Sequence, residues 1–325
     1  MKLAKELRIV YMGTPDFAVE SLRKLVEGGY NVVGVVTMPD KAVGRHHTQL
    51  QPSAVKMYAV EQGIPVLQPE KLKDPEFLEA LRALNADLQI VVAFRMLPEV
   101  VWDMPRLGTF NLHAALLPQY RGAAPINWAV MNGETQSGVT TFFLDKDIDT
   151  GVIIHQTPVD IALTDDAGDL HDKLMYVGAD LVVKTVDDIT RGTIRPRPQS
   201  EWMTPDTVLH HAPKIFKETC RIPWAEKSMK EVYDHIRGLS PYPAAWTELI
   251  TDKGPSVLKI YRTAMEETTP AEAPGTVVVE APSTFKVATK EGYLHILSLQ
   301  IAGKKRMEVT EFLRGFHAAD DLRVE

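Results

Sequence analysis

The sequence predicts an α/β chain: a doubly wound, mostly parallel sheet of Rossmann type, followed by a smaller OB-like β-barrel domain. Three observations carry this. Short apolar runs alternate with helix-period stretches through the first 190 residues, the pattern of β-α-β units. From residue 245 the pattern changes to five short alternating runs separated by turns, as in a small antiparallel barrel. Between them, Pro196, Pro198 and Pro205 break periodicity, and residues 191–209 read as a linker. The expected domains are 1–190, the linker 191–209, and 210–325.

Residues 8–12, Arg-Ile-Val-Tyr-Met, form an apolar run that stops at Gly13-Thr14-Pro15, so a buried strand should meet a tight turn there. Helix spacing follows over 16–26 and ends at Gly28-Gly29. Residues 31–37 are a second apolar strand. The first turn holds one glycine and a proline instead of Gly-x-Gly-x-x-Gly, which argues against a dinucleotide site. Residues 38–50 are polar and read as a long loop, a length that often marks function. Ser53 is placed to cap a helix over 54–62. A second surface helix over 74–84 has Asp74 as its cap and Pro75 at its first position.

Residues 88–94 and 108–113 are apolar strands, 126–131 a helix, and 138–144 a strand. A turn over 145–151 carries Asp145, Asp147 and Asp149. A strand over 152–159 and a helix over 168–189 complete the first domain. In the second, Ser228 with Glu231 three residues on forms a capping box for a helix over 228–238. The five strands fall at 245–250, 257–262, 275–279, 284–289 and 293–300.

The chain has 325 residues, 45% of them hydrophobic, enough to bury a core in each of about two domains. No run approaches the ~20 apolar residues of a membrane span, and residues 1–6 hold no apolar signal-peptide core. One cysteine, Cys220, excludes an intrachain disulfide. Cytoplasm is the expected compartment, with a monomer and no membrane partner. Net charge is −7. Residues 1–205 carry 20 Lys and Arg against 26 Asp and Glu, and the remainder 16 against 17. Neither half is basic, so a nucleic-acid partner would have to be held by local patches.

Chemistry concentrates at 110–125, Phe-Asn-Leu-His-Ala-Ala-Leu-Leu-Pro-Gln-Tyr-Arg-Gly-Ala-Ala-Pro. Asn111 and His113 alternate with Phe110 and Leu112, so at strand period the two polar side chains share one face. Pro118 cannot continue a central strand, which puts both at the end of a buried strand, where open α/β sheets bind ligands. An amide can donate to a developing oxyanion, and an imidazole can carry a proton near neutral pH. From spacing alone, an Asn and a His serving as structural hydrogen-bonders at a strand end are an equal reading.

The stretch Asn-Leu-His-x-x-Leu-Leu-Pro followed by Tyr-Arg-Gly-Ala-Ala-Pro resembles the signature of the folate-dependent formyltransferases, and within them the methionyl-tRNA formyltransferases. Residues 12–17 (Met-Gly-Thr-Pro-Asp-Phe), 240–246 (Ser-Pro-Tyr-Pro-Ala-Ala-Trp) and 299–307 resemble the same group. The resemblance implies transfer of a formyl group from 10-formyltetrahydrofolate to the amino group of initiator methionyl-tRNA, with no metal. It implies a catalytic set of Asn111, His113 and Asp149, the last matching the Asp of a Leu-Asp-Thr-Gly-like turn. Folate contacts then fall on Phe94, Ala115, Leu116, Leu117 and Pro118.

Transfer-RNA contact falls on Arg45 in the 38–50 loop and on Lys304, Lys305 and Arg306. Without the resemblance, that last cluster reads as a solvated surface. Three positions depart from the family pattern. Ala115 stands where a serine is usual, Arg95 where glycine is common, and His46, His47 and Thr48 where lysines are usual. Arg95 either narrows the pocket or points to solvent. Adjacent histidines without further ligand spacing are weak grounds for a metal site. Amino-sugar formyltransferases typically carry Arg-Gly-Arg-Ala-Pro where this chain has Arg-Gly-Ala-Ala-Pro, and ribonucleotide formyltransferases are typically a single domain.

Overall fold

The computed structural model describes residues 3–43, 49–316 and 321–325. In chain order its elements begin β1 (Ile9–Gly13), α1 (Asp16–Glu27), β2 (Val32–Val36), β3 (Lys41–Val43), β4 (Gln49–Gln51), α2 (Ala54–Glu61) and β5 (Val66–Leu67). There follow α3 (Pro75–Ala83), β6 (Leu88–Val92), α4 (Glu99–Trp102), β7 (Thr109–His113), β8 (Arg121–Gly122), α5 (Pro125–Met131), β9 (Gln136–Phe143), β10 (Ile153–Asp160) and α6 (Ala167–Arg191). The remainder holds β11 (His211–Ala212), α7 (Met229–Gly238), β12 (Ala245–Thr251), β13 (Gly254–Glu267), β14 (Val277–Glu280), β15 (Thr284–Ala288), β16 (Gly292–Ile301), β17 (Met307–Glu308), α8 (Val309–Leu313) and β18 (Arg323–Val324). Two compact units emerge. The first is Met1–Gly122, Gln136–Asp160 and His171–His211; the second is Ala123–Thr135, Ile161–Leu170 and Ala212–Glu325.

The first unit holds a seven-stranded sheet in the order β10-β9-β7-β6-β1-β2-β5. From β5 across to β7 every pairing is parallel, while β9 and β10 run antiparallel. Strands β1 and β6 are buried along their whole length, which is why they read as largely apolar runs and not as alternation. Strand order reverses beside β1: β2 and β5 lie to one side, β6 and β7 to the other. That reversal opens a crevice off the carboxyl ends of β1 and β6, and β7 is the next strand along.

The single glycine of the first turn serves packing. A Cβ at Gly13 would lie 2.7 Å from the Ala18 methyl and 2.8 Å from the Val92 carbonyl oxygen, so α1 can close onto the sheet only there. The caps expected at Ser53 and Asp74 both form. Residues 38–50, expected as a loop, differ: Lys41–Val43 and Gln49–Gln51 pair as an antiparallel ribbon. The ribbon is largely exposed, and its apolar pair, Ala42 opposite Leu50, is not buried, so no core demanded a hydrophobic alternation there. Arg45, His46, His47 and Thr48 lie outside the described residues. No helix among the described residues is long and apolar enough to cross a membrane.

The second unit is an antiparallel sheet in the order β14-β15-β16-β13-β12-β18, with β17 added to β16. It is nearly closed. Val277 N donates to the Leu322 carbonyl (2.9 Å) and Val324 N to the Gly275 carbonyl (2.8 Å), so the last residues bridge the two edge strands. The five expected barrel strands are β12 to β16. Closure by β18 carries no sequence signal, because two residues show no period. Helix α7 starts with the capping box, the Ser228 hydroxyl accepting from Glu231 N and the Glu231 carboxylate from Ser228 N. It buries Val232 and Ile236 in the same core as Phe285, Leu294 and Leu299.

His235 on α7 is buried, and among the described residues its Nε2 has no hydrogen-bond partner. Burial first, then the positive charge of Lys227, pushes its pKa down from 6.5 to about 4. The unfolded chain therefore binds the proton more readily. Stability from this group is whole above pH 6.5 and drains away as pH falls toward 4. At about 1.4 kcal/mol per pH unit the loss over that window is about 3 kcal/mol. Urea unfolding at pH 7 and pH 4.5 should show a smaller pH difference for His235→Gln than for the native chain. Equal differences would refute the assignment.

Candidate active site

Strand β7 lies inside the sheet, with parallel β6 on one side and antiparallel β9 on the other; Asn111 stands opposite Val91 and Phe142. Phe110 and Leu112 are buried, as their alternation with the polar pair requires. Asn111 is half-buried. Among the described residues no hydrogen bond engages its amide, so both its N–H donors are unspent.

His113 is 7% exposed. Its Nε2 lies 2.8 Å from the Tyr120 carbonyl oxygen. A carbonyl only accepts, so Nε2 carries the hydrogen, and the neutral ring keeps its lone pair on Nδ1. Nδ1 is 3.8 Å from Oδ2 of Asp149. That distance is too long for a hydrogen bond, and both side chains are largely withdrawn from water. The same Oδ2 accepts from Gly122 N at 3.0 Å. Tyr120 (φ +58°) and Asp149 (φ +56°) both hold left-handed backbone that non-glycine residues seldom adopt. Two such residues flanking one imidazole are the kind of stored strain that gathers at functional sites.

The loop after β7 is pinned from β9 and β10. Thr140 Oγ1 donates to the Ala115 carbonyl (2.6 Å) and accepts from Leu117 N (3.1 Å), while Gln156 Nε2 donates to the Leu117 carbonyl (2.7 Å). Ala115 is fully buried and Leu117 is 1% exposed, packed with Phe142 and Ile153. A methyl suits position 115, since a hydroxyl there would need its own partner inside the protein. Pro118 is buried too, while Phe94 and Leu116 keep partly open faces.

Arg95 does not simply point to solvent. Its guanidinium folds onto the preceding loop, donating to the Pro69 and Glu70 carbonyls. Asp145 and Asp147 are exposed. In the second unit Lys304 and Lys305 sit exposed in the turn between β16 and β17. Arg306 is tethered, with Nε on Ser298 Oγ (2.9 Å) and its guanidinium 4.3 Å from the Tyr261 ring centre.

The structure thus brings His113 and Asp149 together within the first unit, with Asn111 two residues before His113 on β7. It adds residues that sequence reasoning passed over: Tyr120 and Gly122 as backbone partners, Thr140 and Gln156 as loop anchors, and Gln199. Tyr120 and Gly122 lay in the quoted signature; the other three carried no signal. Among the described residues no group of three or more His, Cys, Asp or Glu side chains gathers as a metal site would need.

A family profile described as formyl transferase matches residues 7–186, and one described as formyl transferase, C-terminal domain, matches residues 214–317. A methionyl-tRNA formyltransferase of Parabacteroides distasonis is 64% identical over 316 residues, 96% of each chain. One of Phocaeicola vulgatus is 63% identical over 322 residues, 99% of each chain. Among solved structures, HypX from Aquifex aeolicus in complex with tetrahydrofolic acid superposes with a TM-score of 0.64 at 17% identity, over 97% of this chain and 50% of that one. The sugar 3N-formyl transferase WlaRD gives 0.63 at 19% identity, over 92% and 99%. At such identities these two speak for the fold alone.

Proposed function

The chain belongs to the formyltransferase family, and from that premise we propose that Asn111, His113 and Asp149 carry the formyl transfer in it. The reaction moves the formyl group of 10-formyltetrahydrofolate to the free amino group of methionyl-tRNA. A C–N bond forms to the amine, the bond from the formyl carbon to the donor nitrogen breaks, and one proton passes from the amine to that nitrogen. We take the tRNA to be the initiator, the compartment to be the cytoplasm and the working form to be a monomer. The chemistry is assigned to residues 1–190 and tRNA binding to residues 210–325, joined by 191–209.

One observation carries the site assignment: an imidazole whose Nε2 is committed to Tyr120 and whose Nδ1 faces Asp149 at 3.8 Å, with an unspent amide two residues back on the same face. The Asn111 amide donates to the carbonyl oxygen as charge develops there. His113 gives or takes the proton at Nδ1, the only ring nitrogen free to do so. Asp149 stabilises the charged ring and holds its orientation. The half-buried faces of Phe94 and Leu116, off the ends of adjacent strands, suit a flat aromatic ring system. Fully enclosed side chains such as Ala115 and Leu117, with buried Pro118, shape that wall from behind.

The test incubates the purified chain with 10-formyltetrahydrofolate and methionyl-tRNA. Formylmethionyl-tRNA should appear, with none formed from free methionine or an amino sugar nucleotide. Failure to form it would overturn the reading. For tRNA contact, Lys304→Ala with Lys305→Ala should raise KM for methionyl-tRNA and flatten its dependence on log salt by about two contacts' worth, leaving KM for the folate unchanged. Arg45→Ala should act in the same direction. Equal effects on both substrates would rule these residues out.

A further inference from the structure

Between residues 191 and 211 every side chain but one is exposed or half-exposed; the exception is Gln199, at 4%. Burying an amide is costly unless each of its polar valences is met. All four are. Nε2 donates to the Asp149 carbonyl (2.7 Å) and to the Gly151 carbonyl (3.0 Å), while Oε1 accepts from Arg121 Nε (3.0 Å) and Nη2 (2.6 Å). These partners belong to the two pieces of chain that fix the Asp149 carboxylate. One is the turn that holds Asp149 itself at φ +56°. The other is the segment in which Gly122, next to Arg121, donates to Oδ2. One side chain therefore ties the backbone of the acid to the guanidinium of Arg121, whose neighbour Gly122 gives its N–H to the carboxylate.

We propose that Gln199 is a positioning residue for formyl transfer, holding the Asp149 carboxylate in register with His113. The proposal rests on the assignment of Asp149 above. Gln199 does not touch the reacting atoms; it acts through the acid. Removing the amide frees the 149–151 turn to relax from its left-handed conformation, which swings the carboxylate away from Nδ1. A misplacement of about 1 Å at a reacting constellation costs on the order of 10²-fold.

The experiment is a double-mutant cycle of Gln199→Leu with Asp149→Asn, read in single-turnover formylation of methionyl-tRNA with both variants kept folded by the choice of temperature. Gln199→Leu alone should lower the rate about 10- to 100-fold, with KM for both substrates within about two-fold of the native values. In the Asp149→Asn background the same substitution should cost less than about two-fold, because the group it serves is already gone. A native rate for Gln199→Leu, or losses that multiply in the double variant, overturns the proposal while leaving Asp149 in place. A native rate for Asp149→Asn overturns the acid's role and this proposal with it. If Gln199→Leu does not fold, Gln199→Glu keeps the acceptor for Arg121 and loses the two amide donors, and it is judged by the same criteria.

Discussion

Replacing Asn111 by Ala, His113 by Ala or Asp149 by Asn is expected to lower kcat for formyl transfer by about 10²–10³-fold in each case, with the fold retained. The three substitutions probe different links. Asn111→Ala removes the unspent donors at the strand end, and half-burial means little packing is lost with them. His113→Ala removes the proton carrier; it also frees the Tyr120 carbonyl, so a modest fall in stability accompanies the fall in rate. Asp149→Asn is the cleanest of the three. Asparagine tolerates left-handed backbone, and its carbonyl oxygen still accepts from Gly122 N, so the turn persists and only the charge is gone. Pairs of these substitutions should cost little more than the worse single one, as residues acting as a unit do. Steady-state kinetics with both substrates, alongside circular dichroism, decides the matter. Near-native turnover in any variant with two of the three changed would remove the site assignment.

Gly151→Ala is expected to be the most damaging single methyl in the first unit. A Cβ there would run into the carbonyl oxygen of Phe143, far inside van der Waals contact, and backbone cannot swing aside as a side-chain tip can. Overpacking of this kind costs about 1–3 kcal/mol or more. The only relief is to push the 149–151 turn off β9, and that turn carries Asp149 and the carbonyl that Gln199 holds. Stability and kcat should therefore fall together, the latter by about 10²-fold. Gly192→Ala is the control. Gly192 has φ +69°, but a Cβ there would have nothing within 4 Å among the described residues, so alanine meets only the left-handed penalty of about 1 kcal/mol and leaves kcat alone. Urea unfolding with formylation rates on both variants separates the two. Gly151→Ala with native stability and rate would show that the turn has slack the packing denies.

How far each element was legible follows from where its information lies. Strands β1 and β6 were plain because a strand buried on both faces is largely apolar, and that requirement is written locally; β7 was plain through the alternation of Phe110 and Leu112 with its polar residues. Helices α3 and α7 announced themselves through caps, where a side chain within three residues meets the orphan amides. The β3–β4 ribbon was missed for the opposite reason: it buries nothing, so no residue type was demanded of it. The barrel-closing strand β18 was missed because it is two residues long and its partners are remote in the chain, Leu249 opposite Val324 and Ile250 opposite Arg323. In the site, Asn111 and His113 were legible as a polar alternation in an apolar strand. Asp149 was one of three aspartates in its turn and was singled out by resemblance alone.

Most of the elements, the shared face of Asn111 and His113, and the family were readable from the chain, since each depends on residues near one another or on a motif read as a string. Tertiary structure alone decided how near Asp149 comes to the imidazole, which ring nitrogen is left free, where Arg95 turns, and that a lone glutamine after α6 grips the acid's turn. Those outcomes depend on distances between segments far apart in the chain, set by how the sheet packs. Side-chain periodicity reports which face is buried, but it is silent on what stands opposite.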